Sequence, residues 1–132
     1  MIALARGDRR VRALLDAAQR RGAAVVVPAS VLAETVRGNG PRDAAVNLVV
    51  NRLAPHPVVD DRLARAAGAL MGRSGSGDAM DALVAAETAR QAPAIVLTSD
   101  PSDLARLLHG VPATGVASVA PQRRAGGGQR QE

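Results

Sequence analysis

Ala94-Ile95-Val96-Leu97-Thr98-Ser99-Asp100-Pro101-Ser102-Asp103 is the stretch on which the fold turns. Ala94 to Thr98 form a short apolar run with β-branched residues, the clearest strand in the chain. Asp100 then supplies a helix N-cap, Pro101 suits the first helical position, and Asp103 puts a negative charge into the first turn. A short helix is therefore expected over residues 102–108. A strand running straight into a helix is the unit of a parallel α/β sheet, and such sheets bind ligands at the carboxyl ends of their strands. Asp100 stands at that end. Capping alone accounts for it, and a cap carboxylate there can also meet a cation, so the two readings are compatible.

The same alternation extends in both directions. Residues 8–21 read as a helix with Leu14, Leu15 and Ala18 on its apolar side and Gly22 as its stop. Residues 24–27 form a short buried-strand run ended by Pro28. Ser30 is placed to cap a helix that runs through Arg37 to Gly38, and Pro41 to open another that ends near Leu53. Residues 55–59 suggest a weak strand, confined to an edge by Pro55 and Pro57. Asp60 or Asp61 caps a helix through Met71, residues 72–77 form a Gly/Ser loop, and Asp78 caps a helix to about Gln91. A last weak strand lies within residues 111–119. Residues 121–132 read as a disordered basic tail, which leaves one domain over residues 1–120. The expected class is α/β: a short parallel sheet flanked by helices.

Composition narrows the chemistry. The chain has 132 residues, 47% of them hydrophobic, which suits a single domain with a real core. It contains no Phe, Trp, Tyr or Cys, so disulfides and thiolate metal sites are excluded. The formal net charge is +5, and all 17 basic residues are Arg. Arginine forks bind phosphate bidentately, which suits a polyanionic partner, although a GC-rich genome would produce the same Arg excess. Without aromatics, base stacking is closed, and any nucleic-acid contact must run through Arg and backbone. The N-terminal region carries Arg6, Arg9, Arg10 and Arg12 and has neither a signal peptide nor a membrane span, so a cytoplasmic location is expected.

Three acids occupy distinct settings: Glu34 in Val25-Val26-Val27-Pro28-Ala29-Ser30-Val31-Leu32-Ala33-Glu34, Asp81 in Ser76-Gly77-Asp78-Ala79-Met80-Asp81-Ala82-Leu83-Val84-Ala85, and Asp100 after its strand. At 100° per residue, Asp81 shares a face with Val84, Ala85 and Thr88, while Met80, Leu83, Glu87 and Arg90 fall on the other side. A carboxylate on a mostly apolar face is costly unless something compensates it. Asp78, one turn earlier, reads as an N-cap. Taken singly, each acid also fits a solvated helix flank or a cap. Converging carboxylates repel one another and are normally held together by a cation.

Together, these three stretches resemble PIN-domain proteins, in particular VapC-type toxins, over roughly residues 2–119. The resemblance implies a PIN-like three-layer sandwich and a metal-dependent ribonuclease. It implies Glu34, Asp81 and Asp100 as catalytic metal ligands and Asp103 as an accessory ligand. The expected cofactor is Mg²⁺ or Mn²⁺, the substrate RNA, and the partners a cognate antitoxin and a second copy of the chain in a homodimer, with no role for a membrane. An all-oxygen ligand set without His suits Mg²⁺. Thr98 or Ser99 is expected to orient a water or a ligand.

The chain departs from the family pattern at its start. That pattern opens with a strand ending in Asp, and Met1-Ile2-Ala3-Leu4-Ala5-Arg6-Gly7-Asp8 resembles the stretch after that Asp. The first strand and its ligand are expected to be missing, and Asp8 lies too far along to replace it. Weak metal binding, marginal stability and impaired nuclease activity follow as expectations. The alternatives are a non-catalytic PIN-fold module that binds an antitoxin or dimerises, and an unrelated α/β domain whose acids are caps. Other sites find less support. Gly75-Ser76-Gly77 lacks the strand and third glycine of a dinucleotide loop. His56 and His109 lack partners at metal-ligand spacing, and Ser30 lacks the partners of a hydrolase triad.

Overall fold

The computed structural model describes residues 9–53, 55–75 and 78–119. The N-terminal stub, the central part of the Gly/Ser loop and the tail at 121–132 lie outside the described residues. In chain order the elements are α1 (Arg9–Arg20), α2 (Ala29–Thr35), α3 (Gly40–Arg52), α4 (Asp61–Ser74), α5 (Ala79–Arg90), β1 (Ala94–Thr98), α6 (Pro101–Leu107) and β2 (Thr114–Ser118). β1 and β2 pair in parallel, in register from Ala94 opposite Thr114 to Thr98 opposite Ser118. α6 is the crossover between them. This is the expected α/β architecture, PIN-like, with a short parallel sheet and flanking helices.

α5 is the central helix. The Asp78 carboxylate accepts from the backbone N–H of Met80 at 2.8 Å and of Asp81 at 3.2 Å, which opens the helix with two of its orphan donors satisfied. α4 packs along α5. Asp60 starts α4 by accepting from the Leu63 N–H at 2.7 Å, and Leu63, Ala67 and Leu70 then form its buried stripe at helical spacing. Gly75, at φ +70°, ends the helix in the left-handed conformation and donates its N–H to the Met71 carbonyl at 2.9 Å.

Leu63, Ala67, Leu70, Ala82, Ala85, Ala86, Leu104, Leu107 and Leu108 form the core, with Val96 and Val116 packed on it from the sheet. In a chain without aromatics the alanines let α4 and α5 approach closely. Each fully buried leucine contributes about 1.5–3 kcal/mol. The opposite face of the sheet is open among the described residues, with Ile95 70% exposed and Leu97 37%.

Two expected strands do not form. Residues 24–27 and 55–59 lie alongside one another, joined by the Ala29 N–H to the Pro57 carbonyl at 3.2 Å and by His56 Nδ1 near the Val27 carbonyl at 3.2 Å. No β ladder builds on these contacts, because Pro28, Pro55 and Pro57 lack the N–H that successive rungs need. His56 is thereby half-buried in a backbone contact rather than a plain surface residue.

α2 begins two residues earlier than expected, with Pro28 rather than Ser30 in the cap position, and Ser30 is buried within the helix. It also ends early, at Thr35 instead of near Gly38. The reason is Asp43. Its buried Oδ2 accepts from the N–H groups of Arg37 and Asn39, each at 3.0 Å, and this pulls the backbone out of helical register. α4 in turn runs three residues past Met71 to Ser74, because the left-handed turn that stops it falls at Gly75.

Candidate functional site

Four acids from three separate segments act on one another's charge, and one of them follows β1. Asp100 occupies the turn between β1 and α6, and Asp103 lies in the first turn of α6. Asp81 lies in the first turn of α5. Glu34 comes from α2, which packs against α5, as α6 does from the other side.

Asp100 holds the N-cap position of α6 but makes no side-chain cap bond. The turn is held by Thr98 instead. Its Oγ1 accepts from the Asp100 N–H at 3.1 Å and donates to the Asp100 carbonyl at 3.2 Å. Thr98 thus gives its hydroxyl proton to the backbone and holds the turn. The division of labour leaves the Asp100 carboxylate exposed and without a partner among the described residues.

Asp81 is half-buried, as its mostly apolar face required. Its pKa is raised above the usual carboxylate value, first by burial and then by the negative charges of Asp78, Asp103, Glu34 and Asp100. Asp81 thus feels acids from α2, from the start of α5, from the β1–α6 turn and from the first turn of α6. Neither Asp81, Glu34 nor Asp100 pairs with an arginine among the described residues. Asp103 pairs with Arg106 at 3.4 Å, on the surface and one turn along α6.

The donor set is all oxygen, which suits a hard divalent cation. The spacing is looser than a finished site. Among the described residues no three His, Asp or Glu side chains stand close enough together to hold one ion.

Two other acids escaped the sequence reading, and both are structural. Asp43, 2% exposed, ties down the α2–α3 connection. Glu87, equally buried, binds Arg90 and accepts from Gln91 Nε2 at 2.8 Å, while Arg90 reaches Asp60 at 3.4 Å and the Val58 carbonyl at 3.3 Å. This network joins the end of α5 to the start of α4. Glu87 falls on the other side of the helical wheel from Asp81, and it too is buried. Arg106 could have been found from its i,i+3 spacing to Asp103.

An α/β domain with unneutralised carboxylates at the carboxyl end of a parallel strand belongs to the class of folds that handle cations and phosphates. The family model of the PIN domain matches residues 1–107, and the chain belongs to the PIN domain family. No curated protein and no solved structure matches the chain. PIN domains are in general nuclease domains that act on RNA or DNA with divalent metals. No helix among the described residues is long and apolar enough to cross a membrane.

Proposed function

We propose that the chain is a VapC-like endoribonuclease of a toxin–antitoxin system, dependent on Mg²⁺ or Mn²⁺ and working in the cytoplasm. The observation that carries the reading is the gathering of acids around Asp81, whose pKa is raised first by burial and then by Asp78, Asp103, Glu34 and Asp100, with no arginine paired to Asp81, Glu34 or Asp100 among the described residues. Such an arrangement is costly in the empty protein and is relieved by a cation. Glu34, Asp81 and Asp100 would hold the metal, with Asp103 at the margin. When bound, the metal supplies an activated water and neutralises charge on the phosphate. Asp78 fixes the start of α5 and so the position of Asp81, and Thr98 fixes the turn that presents Asp100.

Incubation of RNA with the protein and Mg²⁺ or Mn²⁺, against a chelator control, tests it. Cleavage should require the metal. It should fall in Asp81→Asn and Asp100→Asn by more than the roughly 10–100-fold that losing an outer-shell partner costs. Metal-independent cleavage, or full activity in both variants, overturns the reading.

A second reading is favoured by the loose spacing of the acids: a non-catalytic PIN-fold module retained for binding an antitoxin or a second copy. Stable partner binding, with no cleavage under any divalent metal, would favour it.

A further inference from the structure

A cavity of about 520 Å³ opens between the last turn of α4 and the last turn of α6, lined by Arg73, Ser74, Ala105, Arg106 and His109. Arg106 links it to the margin of the acidic centre, standing 3.4 Å from Asp103. Among the described residues no carboxylate lines the cavity, and three of the five lining residues are Arg or His, all exposed.

The lining presents donors. Arg73 has no carboxylate partner among the described residues. The Arg106 guanidinium has five N–H donors, and its exposed pair with Asp103 engages only part of that fork. A neutral imidazole at His109 also carries one N–H. The carbonyls at the ends of α4 and α6 oppose an anion here. They are partly used by the Gly75 N–H on Met71 and the Leu108 N–H on Leu104. The whole charge of Arg73, with the part of the Arg106 fork that Asp103 does not engage, outweighs what remains. An open, donor-lined cavity suits a polymer passing across the surface rather than an enclosed small molecule. With no aromatic residue in the chain, the contact must be to phosphate and not to stacked bases.

We infer that Arg73, Arg106 and His109 form a subsite that grips the phosphodiester backbone of single-stranded RNA beside the acidic centre. The subsite rests on the ribonuclease reading for the identity of the polymer. It deepens that reading by predicting sequence-tolerant, salt-sensitive binding through named residues.

Anisotropy of a short fluorescent single-stranded RNA, titrated in chelator across a salt series, tests the subsite without cleavage. Arg73→Ala should weaken binding several-fold and flatten the slope of log K against log salt by about 0.7, the value for one phosphate contact on a single strand. Arg73→Lys should restore most of that slope. Arg62→Ala is the control. It removes the same charge from the same helix, eleven residues and about 16 Å away, and should leave the slope unchanged. Thermal melts of each variant verify folding.

Equal losses in Arg62→Ala and Arg73→Ala would reduce the effect to net charge and overturn the subsite, as would an absence of RNA binding. Arg73-dependent binding of a glutamate-rich peptide, with no binding of RNA, would overturn it in favour of a protein partner. The two proposals fail separately. Metal-dependent cleavage with a salt slope unaffected by Arg73→Ala removes the subsite and leaves the nuclease. Arg73-dependent RNA binding without cleavage removes the nuclease and leaves the subsite.

Discussion

The Thr98 hydroxyl closes the Asp100 backbone on itself, accepting from its N–H at 3.1 Å and donating to its carbonyl at 3.2 Å. The Thr98 hydroxyl thus holds the turn, while the Asp100 carboxylate makes no cap bond and has no partner among the described residues. Thr98→Val keeps the shape and removes both bonds. It should cost about 1 kcal/mol in stability by chemical denaturation. Metal-dependent RNA cleavage should fall roughly tenfold, as for loss of an outer-shell partner. Thr98→Ser should retain most of both. Unchanged cleavage in Thr98→Val would mean that the turn does not position Asp100.

The parts of the fold that were legible in the sequence are those governed by local rules. The caps Asp60 and Asp78, the Pro101 helix start and the β1 run each declare themselves over four or five residues, and each is where it was expected. Residues 24–27 have strand composition too, but a strand needs a neighbour with free backbone groups, and composition does not reveal the neighbour. The end of α2 was hidden for a related reason: it is set by Asp43, several residues later and in another helix. For the site, the resemblance to the family pattern singled out Glu34, Asp81 and Asp100 as ligand candidates. Only the packing of α2 and α6 on α5 brings their charges to bear on Asp81. The basic cavity was not legible, because Arg73 and Arg106 meet only across the α4–α6 contact.

Asp43 should prove a pure stability residue. Its buried carboxylate serves two backbone N–H groups. Asp43→Ala leaves those donors without their partner, at about 1–3 kcal/mol for each one that stays buried. The variant should lose a large share of the roughly 5–15 kcal/mol that holds a domain together. Urea denaturation reads the loss. A change below about 0.5 kcal/mol, the range of an ordinary surface substitution, would refute the role.

The exposed side of α3 carries Leu48, 57% exposed, in a helix otherwise lined with alanine, valine and polar residues. Burial of such a side chain between two copies is the simplest source of the proposed homodimer. Light scattering should report a dimer at micromolar concentration, and Leu48→Glu should shift it to monomer with little change in melting temperature measured at low concentration. A wild-type chain that stays monomeric and well folded at high micromolar concentration would remove the dimer proposal.

Asp81 supplies the prediction with a definite sign. Burial and four neighbouring acids raise its pKa in the folded state above the unfolded value of about 3.9. The folded protein therefore binds this proton more tightly than the unfolded chain does. Stability linked to Asp81 is fully present below the unfolded value. It is lost as pH rises from there through the raised folded value, and stays lost at neutral pH. Asp81→Asn removes the charge and the titration. In chelator, the variant should melt higher than the wild type at neutral pH, and the gap should narrow as pH falls through that window. Added Mg²⁺ or Mn²⁺ should reverse the order, because a cation that binds only the folded state stabilises it by about 2.7 kcal/mol at 100 times its dissociation constant. The wild type gains that increment and Asp81→Asn loses most of it. Thermal melts of both proteins across pH, with and without metal, measure all four corners. A variant that melts lower than wild type in chelator at neutral pH, or that gains as much from metal as wild type does, would show that Asp81 is not the strained centre of a cation site.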